Sequence, residues 1–168
     1  MTTPTITAPD TAAVIARHRD MVYALCLTHT RSRTNADDVF QEVFLTYHRK
    51  QPVCRDGEHR RAWLIRTTLM IARRVATSSW QTRVDLGAED RAGGDAFRFD
   101  VVEYDDLFRA LQRLPEAYRS VIHLFYFEDL PVGQIAALLG DRPGAVKTRL
   151  SRGRDMLRAA MKEDCHVQ

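Results

Sequence analysis

Apolar residues recur along this chain at helical rather than strand spacing. Val14, Ile15, Val22 and Leu25 predict a helix over about residues 11–29. A second helix is expected to open at Asn35, a good N-cap, with Asp38 three residues on as in a capping box. It runs to about Lys50 with Ala36, Phe40, Val43 and Tyr47 as its apolar stripe. Pro52, Asp56 and Gly57 then mark a loop, and Leu64, Thr68, Ile71 and Val75 line one side of a third helix over about 58–80. The periodicity lapses between about 81 and 103, where Gly87, Gly93 and Gly94 mark a linker. It returns at Tyr104. Leu107, Leu111 and Leu114 fit a short helix that stops at Pro115, and residues 116–127 fit another. A third spans 134–139 and ends at Gly140, and a last one starts with Pro143 in its first turn and runs to about Lys162. There is no hairpin dipeptide and no sustained apolar–polar alternation. The fold expected is all-α, with two small helical domains, 1–83 and 104–168, joined by a linker over 84–103.

Composition narrows the class. The chain has 168 residues, 45% of them hydrophobic, which supports real cores. No apolar run approaches bilayer length, so no membrane insertion is expected. Residues 1–10 are Thr/Pro-rich and lack the basic and apolar regions of a secretory signal. Cys26, Cys54 and Cys165 are widely spaced, which argues against a disulfide framework and fits a reducing cytoplasm.

Charge adds more than its total of +3 implies. Residues 60–83 carry six basic side chains and no acid, and residues 142–162 carry seven against Asp155 alone. Between them, residues 85–106 hold eight acids against Arg91 and Arg98, so the linker is acidic. Two cationic stretches around an anionic one predict a polyanion gripped at two places.

The sharpest local pattern is Gln134-Ile-Ala-Ala-Leu-Leu-Gly-Asp-Arg-Pro-Gly-Ala-Val-Lys-Thr-Arg-Leu150. Small Ala136 allows close helix crossing, Gly140 permits a tight turn, and Val146 and Leu150 anchor the helix after it. This is a helix-turn-helix arrangement, whose second helix enters the major groove. Val146, Leu150, Gly153, Leu157 and Met161 form its inner stripe. Thr148, Ser151, Arg152 and Asp155 face away, with Lys147 on the flank. These groups suit base edges and phosphates. A solvated face on a small bundle is the alternative, but such a face mixes charge signs.

On the second helix Asp37, Asp38, Gln41 and Glu42 share one face. With His48 they invite a reading as metal ligands or catalytic carboxylates, yet no HExxH, DxDxDG or Ser/His/Asp constellation accompanies them. No catalytic residue, metal or cofactor is therefore expected.

Three motifs in order carry a family resemblance. Asn35-Ala-Asp-Asp-Val-Phe-Gln-Glu-Val-Phe-Leu45 resembles the polymerase-binding segment of region 2 in bacterial sigma-70-type sigma factors. Arg61-Ala-Trp-Leu-Ile-Arg66 resembles the start of their −10 promoter helix. Leu111-Gln-Arg-Leu-Pro-Glu-Ala-Tyr-Arg-Ser-Val-Ile122, followed by the helix-turn-helix, is similar to region 4. With only regions 2 and 4, the chain resembles the extracytoplasmic-function (ECF) subfamily.

The resemblance implies a non-enzymatic promoter-specificity subunit. Asp37, Asp38, Gln41 and Glu42 would meet the β′ clamp helices of core RNA polymerase, and region 4 would dock on the β flap. Lys147, Thr148, Ser151 and Arg152 would read the −35 element of promoter DNA, with Arg149 and Arg154 on phosphates. Arg66, Met70, Arg73 and Thr77 form a stripe opposite the apolar one, with Arg74 beside it, for the −10 element. Residues 52–59 would capture an unstacked base, and Trp80 would stack on one, whereas Trp63 reads as core. The acidic linker either threads the RNA-exit path or is a solvated tether. An anti-sigma factor would be a partner. The chain departs from the family at Met70, often an asparagine, at Arg74, often an acid, and at Pro131, usually a hydroxyl cap. It also has Gly133 in the following helical turn and Asp141 in place of an aliphatic anchor. A free-standing helix-turn-helix regulator is the competing function, and it would bind duplex DNA without polymerase.

Overall fold

A computed structural model of the chain describes residues 9–30, 32–83 and 105–165. The acidic stretch expected as a linker, 84–103, lies outside the described residues, as does the side chain of Trp80. The helices are α1 (Thr11–His29), α2 (Arg33–Lys50), α3 (Gly57–Arg83), α4 (Asp105–Arg113), α5 (Glu116–Tyr126), α6 (Val132–Leu139) and α7 (Pro143–Cys165). Among the described residues there is no strand.

Helices α1, α2 and α3 pack on one another around Val22, Leu25, Val39, Val43, Tyr47, Leu64 and Ile71, all but sealed from solvent. The start of α2 differs from expectation. Ser32, in an extended conformation, is the N-cap, and its hydroxyl accepts from the Asn35 backbone N–H at 3.1 Å. Asn35 therefore lies inside the first turn, as the residue whose orphan donor is satisfied. At the other end Gln51 takes a left-handed conformation (φ 42°) and closes the helix onto Tyr47. Asp56 starts α3 by accepting from the His59 N–H at 2.8 Å.

The second bundle buries Phe108, Leu111, Val121, Ile122, Leu124, Ile135, Val146 and Leu150. Helix α6 begins two residues before its expected start. Pro131 supplies no side-chain cap, but its carbonyl accepts from Gln134 and Ile135 N–H groups at 2.9 and 3.1 Å. Gly140 adopts φ 68°, and the next N–H, from Asp141, returns to the Ala136 carbonyl at 2.9 Å. A left-handed residue closing the last turn this way is what lets α7 depart at a sharp angle. Helices α5 and α7 cross at Gly153, where a Cβ would stand 3.0 Å from Ile122 Cγ1. The inner stripe of α7 ends differently from expectation: Ala160 is buried, while Met161 is 43% exposed. At about 100° per residue, position 160 falls about 20° from buried Gly153 and position 161 about 80° from it, so the contact line passes through 160.

The two bundles meet along a polar seam. The α1 C-terminus presents carbonyls beyond the reach of its own helical ladder, and the second bundle supplies the donors. Gln112 Nε2 reaches the Leu27 and Thr30 carbonyls at 3.0 and 2.9 Å, and Arg119 reaches that of Thr28 at 3.2 Å. Deeper in, His123 bridges Thr28 Oγ1 at 2.7 Å and Glu128 Oε1 at 3.3 Å. An ionised carboxylate only accepts, so Nε2 carries the proton in the second contact. Glu128 in turn holds Arg61 of α3 through its backbone carbonyl (2.5 Å) and Oε2 (3.2 Å). The seam thus links α1, α4, α5, the turn after α5, and α3. His29, buried against Arg119, Arg73 and His123, is pushed well below the usual imidazole range, chiefly by loss of solvent.

Candidate nucleic-acid interface

Helix α7 carries its polar face outward. Lys147, Thr148, Ser151, Arg152 and Arg154 are exposed, and Arg149 is half-buried. The face stays open because Val146, Leu150 and Gly153 pin the opposite side to α5 and α6. Thr148 donates its hydroxyl proton to the Gly144 carbonyl at 3.0 Å, so outward it offers a methyl group and acceptor lone pairs. Arg154 donates to the Tyr126 hydroxyl at 3.3 Å, a neutral partner that leaves its charge intact. Arg149 forms a close ion pair with Asp141 of the preceding turn. The sequence pattern gave no sign of that pair.

On α3, Arg66, Met70, Arg73, Arg74 and Thr77 are all exposed and share the face opposite Leu64 and Ile71. Met70 is 49% exposed, an apolar residue within a basic stripe. Arg73, although exposed, also forms a close ion pair with Glu116 at the start of α5. Arg66 and Ile65 border an open cleft of about 420 Å³ whose far wall is Leu130, Gln134 and Leu138. Trp63 is half-buried and meets Tyr47 edge-on at 5.6 Å, so it belongs to the core. In the loop before α3, Val53 is 94% exposed and Cys54 half-exposed. The exposure of Val53 is a feature that the sequence reading passed over, although an apolar residue beside Pro52 in a polar loop was a visible signal.

The acidic face of α2 is uneven. Asp37 accepts a hydrogen bond from the Tyr23 hydroxyl at 2.9 Å, and burial together with this carboxylate pushes the Tyr23 phenol up to about 12. Glu42 pairs with Arg49 at 3.4 Å. Asp38 and Gln41 are exposed, and between them Leu45 is 51% exposed. Sequence reasoning missed Leu45, although at about 100° per residue it projects into the middle of the polar arc. His48 hydrogen-bonds Thr11 Oγ1 at 2.9 Å rather than joining the carboxylates. Among the described residues no helix is long and apolar enough to cross a membrane.

These surfaces can be set beside known proteins. The family model for sigma-70 region 2 matches residues 14–83, and that for sigma-70 region 4 matches residues 104–157. RNA polymerase sigma factor SigV of Bacillus subtilis is 29% identical over 160 residues, covering 89% of this chain and 90% of its own. The ECF RNA polymerase sigma factor SigW of the same organism is 27% identical over 166 residues, covering 90% and 89%. Among solved structures, CnrH in complex with the cytosolic domain of CnrY superposes with a TM-score of 0.64 at 25% identity, over 92% of this chain and 88% of that one. The sigma factor RpoE of Bartonella quintana, solved with the anti-sigma factor NepR, superposes at 0.67 with 21% identity, over 90% and 96%, and shares the fold.

Proposed function

Because this chain belongs to the sigma-70 family, in its ECF subfamily, and acts in transcription initiation with core RNA polymerase and promoter DNA, we propose that residues 1–83 and 104–168 divide that work through three faces. Lys147, Thr148, Ser151, Arg152 and Arg154 on α7 contact the −35 element. Arg66, Met70, Arg73 and Arg74 on α3, with Trp80 at its end, meet the −10 element. Asp37, Asp38, Gln41 and Glu42 on α2 meet the β′ clamp helices, with Leu45 as the apolar centre of that contact. The observation that carries this reading is the exposed α7 face, which follows a turn closed by left-handed Gly140 and presents Lys147, Arg152 and Arg154 with Ser151 and Thr148, against the single acid Asp155. An interface with an apolar centre and charged rim also matches how α2 is dressed. The chain performs no catalysis itself, works in the cytoplasm, and is held in check by an anti-sigma factor, as RpoE of Bartonella quintana is bound by the anti-sigma factor NepR.

Run-off transcription on fragmented genomic DNA, with core polymerase plus or minus this protein, tests the reading. Discrete new transcripts sharing spaced upstream elements are expected. Binding to duplex DNA without polymerase, with no new transcripts, would favour the free-standing regulator instead.

The α2 face has its own test. Asp38 is exposed, so Asp38→Arg should leave the far-UV circular dichroism unchanged. It should weaken binding to core polymerase at least about tenfold, because like charges brought together across an interface are strongly unfavourable. Unaltered affinity in a titration with core polymerase would remove Asp38 from the contact.

A further inference from the structure

Two arginines stand on opposite shoulders of α7, and the structure treats them differently. At about 100° per residue, Arg149 lies about 40° from Gly153 on one side of the buried stripe, and Arg154 about 40° from Leu150 on the other. Arg154 is exposed and rests on a phenol, which does not cancel its charge. Arg149 is half-buried, and its guanidinium is closed onto the Asp141 carboxylate, eight residues back in the turn. The two side chains of that pair are 30% and 28% exposed, so it is sheltered from much of the screening that weakens surface ion pairs.

We propose that Asp141 is a positioning residue for −35 recognition: it holds Arg149 as a strut between the turn and α7, and Arg149 does not neutralise a DNA phosphate. The inference rests on α7 being the DNA-reading helix. Asp141 sits just before the N-terminus of α7, where a negative charge suits the helix dipole but opposes an approaching phosphate backbone. Arg149 cancels that charge locally. The pair is neutral as a unit, so it releases no net counterions when DNA binds. Lys147 and Arg154 do, because no described carboxylate pairs with either. The contribution of the pair is geometry. It ties the second turn of α7 to the residue after Gly140, fixing the angle at which Lys147, Ser151 and Arg152 are presented. An aliphatic anchor would hold the turn by packing, whereas Asp141 holds it by charge.

The test uses the full chain with core polymerase and a labelled promoter fragment, reading the slope of log Kobs against log salt. Lys147→Gln and Arg154→Gln should each reduce the slope by about 0.9. The doubly neutral variant Asp141→Asn with Arg149→Gln should keep the parental slope, and Asp141→Asn alone should steepen it by about 0.9 by freeing Arg149. Discrimination between the native and a scrambled −35 element should fall in both Arg149→Gln and Asp141→Asn. It should return in the charge-swapped pair Asp141→Arg with Arg149→Asp, which also guards against simple misfolding. A drop in slope for the doubly neutral variant equal to that for Lys147→Gln would overturn the proposal. So would unchanged discrimination in both single variants. If Lys147→Gln and Arg154→Gln also leave the slope untouched, α7 is not the DNA-reading helix, and the functional reading falls together with the strut.

Discussion

Replacing Glu128 with alanine is expected to split the unfolding of this chain into two transitions. Its carboxylate is 8% exposed and joins the bundles, taking Arg61 of α3 on one oxygen and His123 of α5 on the other. His123 is fully buried, and nothing replaces the partner of its Nε2–H once the carboxylate is gone. Removing one member of a buried, hydrogen-bonded charge pair costs about 2–5 kcal/mol. Arg61 is 24% exposed and recovers some hydration, which places the loss towards the lower end of that range. The rest of the seam is two hydrogen bonds from Gln112, one from Arg119, the Thr28–His123 contact and the solvent-exposed Arg73–Glu116 ion pair, each contributing about 1 kcal/mol net or less. Glu128 is therefore the largest single term holding the bundles together, and its loss weakens their coupling most. In guanidinium titrations the near-ultraviolet signal of the tryptophans reports the first half, and far-ultraviolet circular dichroism reports all helices. The two should coincide in the parent and separate in Glu128→Ala. Coincident curves in the variant would show that the seam does not couple the halves.

Tyr47→Ala should have the largest effect on the first bundle. The ring is 1% exposed, meets Trp63 of α3 edge-on at 5.6 Å, and its hydroxyl accepts from Arg60 Nε at 3.3 Å. Truncating a buried aromatic leaves a cavity and costs about 3–5 kcal/mol. Tyr47→Phe loses only the hydroxyl contact and should cost about 1 kcal/mol. The functional consequence exceeds the local one. Tyr47 fixes α2, which carries the acidic face, against α3, which carries the basic stripe, so Tyr47→Ala should weaken polymerase binding and −10 opening together while Tyr47→Phe preserves both. Melting temperature, core-polymerase affinity and permanganate reactivity of the promoter separate these outcomes. Loss of only one function in Tyr47→Ala would contradict the coupling.

Where one periodicity governed an element, its sequence was readable. Pro143 and Gly140 marked the start of α7 and the end of α6, and the outward set on α7 followed from the spacing of Val146, Leu150 and Gly153. Boundaries with two competing signals were less legible. Ser32 and Asn35 are both good caps, and only the extended backbone at Ser32 decides between them. At the start of α6 the proline carbonyl substitutes for a missing hydroxyl, which composition does not reveal. Contacts between residues far apart in sequence were not legible at all. Arg73 with Glu116 is an example: helical spacing shows which way a side chain points from its own axis and nothing about what another helix brings to meet it. Leu45 is a different case. Its position within the acidic arc was computable, and the eye for charge passed over it.

The carbonyls at the end of α1 are satisfied by Gln112, which lies 85 residues beyond Leu27, and by Arg119, 91 beyond Thr28. That dependence carries a timetable. During synthesis at about 5–20 residues per second, α1 is complete roughly 4–18 s before its capping partners are made. Over that interval the nascent first bundle must hold its leading helix with one end frayed, open to water or to any other donor that reaches it first. The last part of the first half to settle is thus the end of its first helix, and it settles on groups that the ribosome delivers only with the second half.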